Sequence, residues 1–136
     1  MGLDQVIYAA EIGDLVEEDG HKTVRSEHLY SFRKVPMLHG FMEYKWAERG
    51  FKVINLTTGE TEKSEDRVFN CVPLEITENL LSELKEAVEN KTLPEKTNGF
   101  FFGRHYDEDY TDIANMIYEV EDVVKEGRTV WYDSWW

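Results

Sequence analysis

Disulfide chemistry is closed to this chain within itself. Its 136 residues include one cysteine, Cys71. No internal bridge can form, and the expected setting is a reducing compartment. Long apolar runs are also missing. No window approaches the roughly 20 apolar residues of a membrane-spanning helix, so no membrane contact is expected. The opening Met1-Gly2-Leu3-Asp4-Gln5 has neither a basic segment nor an apolar run. The expectation is a chain without a secretion signal.

The motifs that announce common chemistries are lacking too. There is no GxGxxG, no GxSxG, no CxxC and no HExxH. The four histidines, His21, His28, His39 and His105, stand apart with no ligand spacing. A zinc site is not expected, nor any other metal or cofactor. His105 to Asp109 offers oxygen ligands but not the spacing of an EF-hand loop. The segment Gly99 to Gly103 is filled with phenylalanine and lacks the Gly-Lys-Ser/Thr of a phosphate-binding loop. Cys71 lies in an apolar run and reads as an inert core thiol. No residue is nominated as catalytic.

Positive charge is scarce. There are 15 Lys and Arg against 28 Asp and Glu, a formal net charge of -13. The imbalance is lopsided: residues 1–58 carry 7 cations and 9 acids, residues 59–136 carry 8 and 19. Such a surface repels nucleic acid and anionic membranes at long range. It attracts a basic protein surface, including one that ordinarily holds DNA or RNA. The same acidity also serves plain solubility.

What the chain does have is core-forming material: 41% hydrophobic residues and 13% aromatics. Length and composition predict one domain spanning 1–136. Leu3–Ala10 and Leu29–Lys34 read as strands, with Gly13–Gly20 as an acidic loop between them. Pro36 suits a helix first turn, and Met37, Leu38, Phe41, Met42 and Trp46 recur at helical spacing up to Gly50. Phe51–Leu56 reads as a strand, and Thr61–Arg67 as a loop or edge hairpin. Val68–Leu74 reads as a buried strand. Thr77 is a candidate N-cap for a helix with Leu80, Leu81 and Leu84 on one face. Phe100–Phe102 reads as a central strand. Asp107 opens a third helix with Ile113, Ile117, Val120 and Val124 on one face, closed by Gly127. Arg128–Tyr132 is the last strand. The predicted class is α+β: a single compact domain, with a mixed sheet of about five strands and three helices. The alternation of strands with helices favours some parallel pairing.

Two patches are unusual. Tyr30, Arg33, Lys34, His39 and Trp46 lie within 17 residues. An arginine grips a phosphate or carboxylate at two points, and a helix start at Pro36 adds partial positive charge. This reads as a pocket for an anionic metabolite or nucleotide, with Arg104 and His105 as further contributors. Equally, Arg33 and Lys34 pair with surface acids and His39 packs. The second patch is the close of the chain, with Trp131, Trp135 and Trp136. The last two either dock back as a lid or form a partner hot spot.

Three short stretches resemble a group of uncharacterised bacteriophage and prophage proteins. These are Met1-Gly2-Leu3-Asp4; Tyr30 to Lys34 with Leu38-His39-Gly40-Phe41; and Gly99 to Gly103 with Tyr110-Thr111-Asp112 and Tyr132-Asp133-Ser134-Trp135. The resemblance implies a phage-type accessory gene acting in a bacterial cytoplasm. It brings no activity. The leading expectation is a non-enzymatic protein that binds a basic host protein, as a counter-defence or host-takeover factor, through Asp109, Asp112, Glu119, Asp122, Trp135 and Trp136. The alternative is the anion pocket. A virion role through self-association of the tryptophan tail stands third.

Overall fold

The computed structural model describes residues 2–94 and 107–136. Over these residues the chain is α+β, with three helices and a four-stranded main sheet. Its strands are β1 (Asp4–Ala9), β4 (Glu27–Arg33), β7 (Leu74–Ile76) and β8 (Val130–Trp135), in the order β4-β1-β8-β7. Two hairpins stand apart from it, β2 (Leu15–Glu18) with β3 (His21–Val24), and β5 (Lys52–Ile54) with β6 (Thr61–Lys63). The helices are α1 (Pro36–Glu48), α2 (Glu78–Glu89) and α3 (Asp107–Lys125).

β1 and β8 form the centre of the sheet: β1 alternates in burial, and β8 is covered on both faces from Val130 to Tyr132. Gln5, Ile7 and Ala9 face inward with Val130, Tyr132 and Ser134. One core cluster joins Ile7, Phe32, Ile76 and Tyr132 of the sheet to Leu38 and Trp46 of α1, Leu84 of α2 and Met116 of α3. All three helices therefore cover the same face. A smaller cluster of Ala10, Leu56 and Trp131, with Tyr8, Val24 and Ile54, lies on the other. There the hairpins supply the cover.

Thr77 caps α2 as its position predicts, its hydroxyl accepting from the Leu80 N–H at 3.2 Å. Gly50 follows α1 at φ +84, a conformation open to glycine without strain. Thr61–Lys63 forms the edge hairpin rather than the loop.

Four expectations are corrected. The acidic stretch Gly13–Gly20 is not a plain loop: Leu15–Glu18 pairs with His21–Val24 across a turn at Asp19 and Gly20, both at positive φ. Val68–Leu74 is not a strand. Arg67 and Cys71 adopt φ of 54 and 58, and Pro73 has no N–H to give, so pairing begins only at Leu74. Cys71 is exposed, not a core thiol, because its backbone N–H ties the loop to the Ser134 carbonyl at 2.7 Å while its side chain turns outward. Finally, every strand pair among the described residues is antiparallel. The connection through α1 from β4 to β7, and the α2–α3 pair from β7 to β8, each bring the chain back to the end of the sheet it left rather than crossing to the opposite end. The strand expected at Phe100–Phe102 lies outside the described residues.

Candidate partner-binding surface

The proposed anion pocket is dispersed by the sheet. Phe32 points into the core, so its neighbour Arg33 points to the opposite face. There Arg33 is 72% exposed and meets Asp4, its register partner on β1, at 4.0 Å. Lys34 leaves the strand at φ 56 and is exposed. His39, on the first turns of α1, is fully buried. Its Nε2–H donates to the Phe69 carbonyl at 3.2 Å; a carbonyl only accepts, which fixes the proton on that nitrogen. Burial pushes its pKa down to about 4, so the ring is neutral at pH 7 and offers an anion no charge. Trp46 is buried too, its indole N–H donating to the Lys52 carbonyl at 2.9 Å. Tyr30 packs at a tilt against Phe32, 4.9 Å between centroids, and belongs to a different neighbourhood, described below. His39 is enclosed in the core while Arg33 faces the other side of the sheet, so the two do not line a common groove. Arg104 and His105 lie outside the described residues.

The acidic residues do assemble. α2 and α3 pack side by side, burying Leu80, Leu81 and Leu84 against Ile113, Met116, Ile117 and Val120. Their 3–4 spacing on each helix leaves the opposite stripe to solvent. That stripe carries Glu78, Glu83, Glu86 and Glu89 on α2 and Glu108, Asp112, Glu119 and Asp122 on α3, all exposed. The only cations of the two helices are Lys85 and Lys125. Both line the cleft of about 230 Å³ between them, where Lys125 pairs with Glu121 at 3.2 Å. Glu83 is held by Lys45 of α1. The layer is thus strongly negative: its acids far outnumber its two cations, which lie exposed along the cleft.

Tyr30 borders this layer. β4 touches α3. The Tyr30 hydroxyl is held above its ordinary pKa by burial first, then by the fields of Asp112 and Glu119. Sequence proximity to Arg33 grouped it with the cations; the fold groups it with the acids.

Asp109 needs correcting as a surface contact. It is 7% exposed, on the side of α3 that turns inward with Ile113 and Met116. Its (i, i+4) relation to Ile113 is the signal that reading the acids as one run overlooks. Trp136 docks back, its indole N–H donating to the Phe69 carbonyl at 3.0 Å and its backbone N–H to Asn70 Oδ1 at 3.2 Å. It is still 37% exposed. Trp135 faces the other side of the sheet at 47% exposure. Missed by sequence reading was Tyr118, 79% exposed on α3 beside Glu119 and Asp122. Its offset from Ile117 by one residue places it outside the apolar stripe.

No cluster of three or more metal-ligating side chains occurs among the described residues. No helix among them is long and apolar enough to cross a membrane. Comparison with protein-family models finds no match, and comparisons with curated proteins and with solved structures find none either. What the chain does must be read from its own geometry.

Proposed function

We propose that this chain is a non-enzymatic binding protein whose α2–α3 layer engages a basic surface on another protein. The observation that carries this is the set of eight exposed carboxylates across two packed helices that bring only two cations, Lys85 and Lys125, both lining the cleft between them. A rigid field of one sign speeds encounter with its opposite and rejects like-charged partners. A basic groove built for DNA or RNA is a natural complement, since acids projecting along a helix face stand in for phosphates. The resemblance of the three short stretches to phage accessory proteins supports a host factor in a bacterial cytoplasm as that partner. Tyr118 supplies an aromatic contact within the acidic field.

The test is a pull-down from bacterial lysate at low and high salt, with native mass spectrometry on the eluate. A stoichiometric protein partner lost at high salt is expected. The variant Asp112→Lys, Glu119→Lys, Asp122→Lys, all at exposed positions, should abolish capture without unfolding the chain. Undiminished capture by that variant would sink the proposal.

A further inference from the structure

Among the described residues, the outer face of the main sheet, opposite the helices, is covered at one end. Strand alternation places Tyr8 of β1 and Trp131, Asp133 and Trp135 of β8 on this face. The Trp131 end lies beneath Val24, Ile54 and Leu56. The Trp135 end does not: its indole is 47% exposed.

Asp133 sits between these ends, half-buried. Its Oδ1 accepts from the Ser134 N–H at 2.9 Å and its Oδ2 from the Tyr8 hydroxyl at 3.4 Å. No ion pair among the described residues includes it. Burial holds its carboxyl above the ordinary pKa, so its charge is desolvated with no counter-charge among the described residues. Trp135, two residues on, projects on the same side about 7 Å along the strand. Across from Trp135 in register stands Asp4, which Arg33 reaches only at 4.0 Å.

We infer that the Trp135 end of this face docks an arginine side chain of a protein partner, with its guanidinium against the Asp133 carboxylate and its plane over the Trp135 indole. Arginine fits where lysine does not. Its guanidinium is weakly hydrated, pairs with a carboxylate in plane and stacks on an aromatic ring at once. Lysine would have to shed a tighter water shell at a half-buried acid. The two carboxylates disfavour a nucleic acid here. Because the face lies across the sheet from α2 and α3, this inference does not depend on the acidic layer.

The test titrates the capped tripeptide acetyl-Gly-Arg-Gly-amide into the full chain and follows the Trp135 indole N–H and the backbone amides by NMR. Matched peptides carry lysine or citrulline. A saturable response centred on Trp135 is expected, strongest for arginine and absent for neutral citrulline. Asp133→Asn should weaken it by about tenfold or more, the loss of a charge-assisted hydrogen bond. Trp135→Leu, at an exposed position, should weaken it as well and serves alone if Asp133→Asn fails to fold. The Asp112, Glu119 and Asp122 reversal variant should bind the peptide as the parent does, so the two surfaces are scored separately. Shifts spread over all acidic regions, or a response at Trp135 unchanged in the Asp133→Asn and Trp135→Leu variants, would overturn the inference.

Discussion

The imidazole of His39 donates to the backbone carbonyl of Phe69 at 3.2 Å, from a position with no solvent exposure. The rings of the two residues also lie against each other, 5.3 Å between centroids. The contact joins α1 to the irregular loop ahead of β7, which has no ladder of its own to hold it.

That burial makes stability depend on pH. The His39 pKa falls from 6.5 to about 4 in the folded chain. Above about 6.5 the ring is neutral in both states, and the contact is fully present. Between 6.5 and 4 the unfolded chain takes up a proton that the folded chain does not, so stability falls as pH falls. The slope reaches at most about 1.4 kcal/mol per pH unit. Urea unfolding of the parent and of His39→Gln at pH 7.0, 5.5 and 4.5 checks it. The gap between the two proteins should narrow steadily toward low pH; a constant gap would refute the linkage.

Asp109 and Asp112 separate burial from charge. Asp109 is 7% exposed and Asp112 lies on the solvent stripe of the same helix. Asp109→Lys forces a cation into the core side of α3 and should cost on the order of 3 kcal/mol or more. Asp112→Lys should stay within about 0.5 kcal/mol of the parent. Thermal unfolding of both variants decides it. Equal effects would mean that Asp109 is not buried as described.

The Thr77 hydroxyl accepts from the Leu80 N–H and starts α2, whose Leu80, Leu81 and Leu84 anchor the acidic layer to the core. Thr77→Ala should therefore cost about 1 kcal/mol, and Thr77→Ser much less, since serine caps as well. Chemical denaturation of the two variants measures the difference. A null effect of the alanine variant would show that the cap is not sustaining the helix.

The helices were legible because each carries its own signals. Pro36 and Gly50 bracket α1, Thr77 starts α2, and the 3–4 spacing from Ile113 to Val124 marks α3. The outer ends of the sheet were harder. β7 is three residues long, too short for alternation to show. The apolar run Val68–Leu74 imitates a strand, but the positive φ at Arg67 and Cys71 is a tertiary outcome that residue type does not reveal. The same holds for the candidate site. The acidic helix faces follow from spacing alone. The scatter of Tyr30, Arg33 and His39 follows from alternation across β4 and from the burial of α1, and closeness in sequence hides both. Asp133 does not stand out among the acids in sequence, because its lack of an ion pair among the described residues is visible only in three dimensions.

Cys71 offers the most direct check on the loop between β6 and β7. An apolar neighbourhood in sequence, Val68-Phe69-Asn70-Cys71-Val72, predicts a protected thiol. The fold instead ties its backbone to the Ser134 carbonyl and turns the side chain to solvent, with Asn70 Oδ1 3.8 Å from its sulfur. Thiol reactivity follows thiolate fraction and access. Reaction with Ellman's reagent at pH 8 should therefore proceed in the native protein within about tenfold of the rate in denaturant, without waiting for unfolding. A native rate that tracks global unfolding would place the thiol inside. The strain at φ 58 gives a second reading of the same loop. Cys71→Gly removes the Cβ that makes this conformation costly, and should be neutral or stabilising by up to about 1 kcal/mol. Cys71→Val, β-branched at the same φ, should destabilise instead. If valine is tolerated as well as glycine, the left-handed turn at Cys71 is wrong, and with it the reason Val68–Leu74 does not pair as a strand.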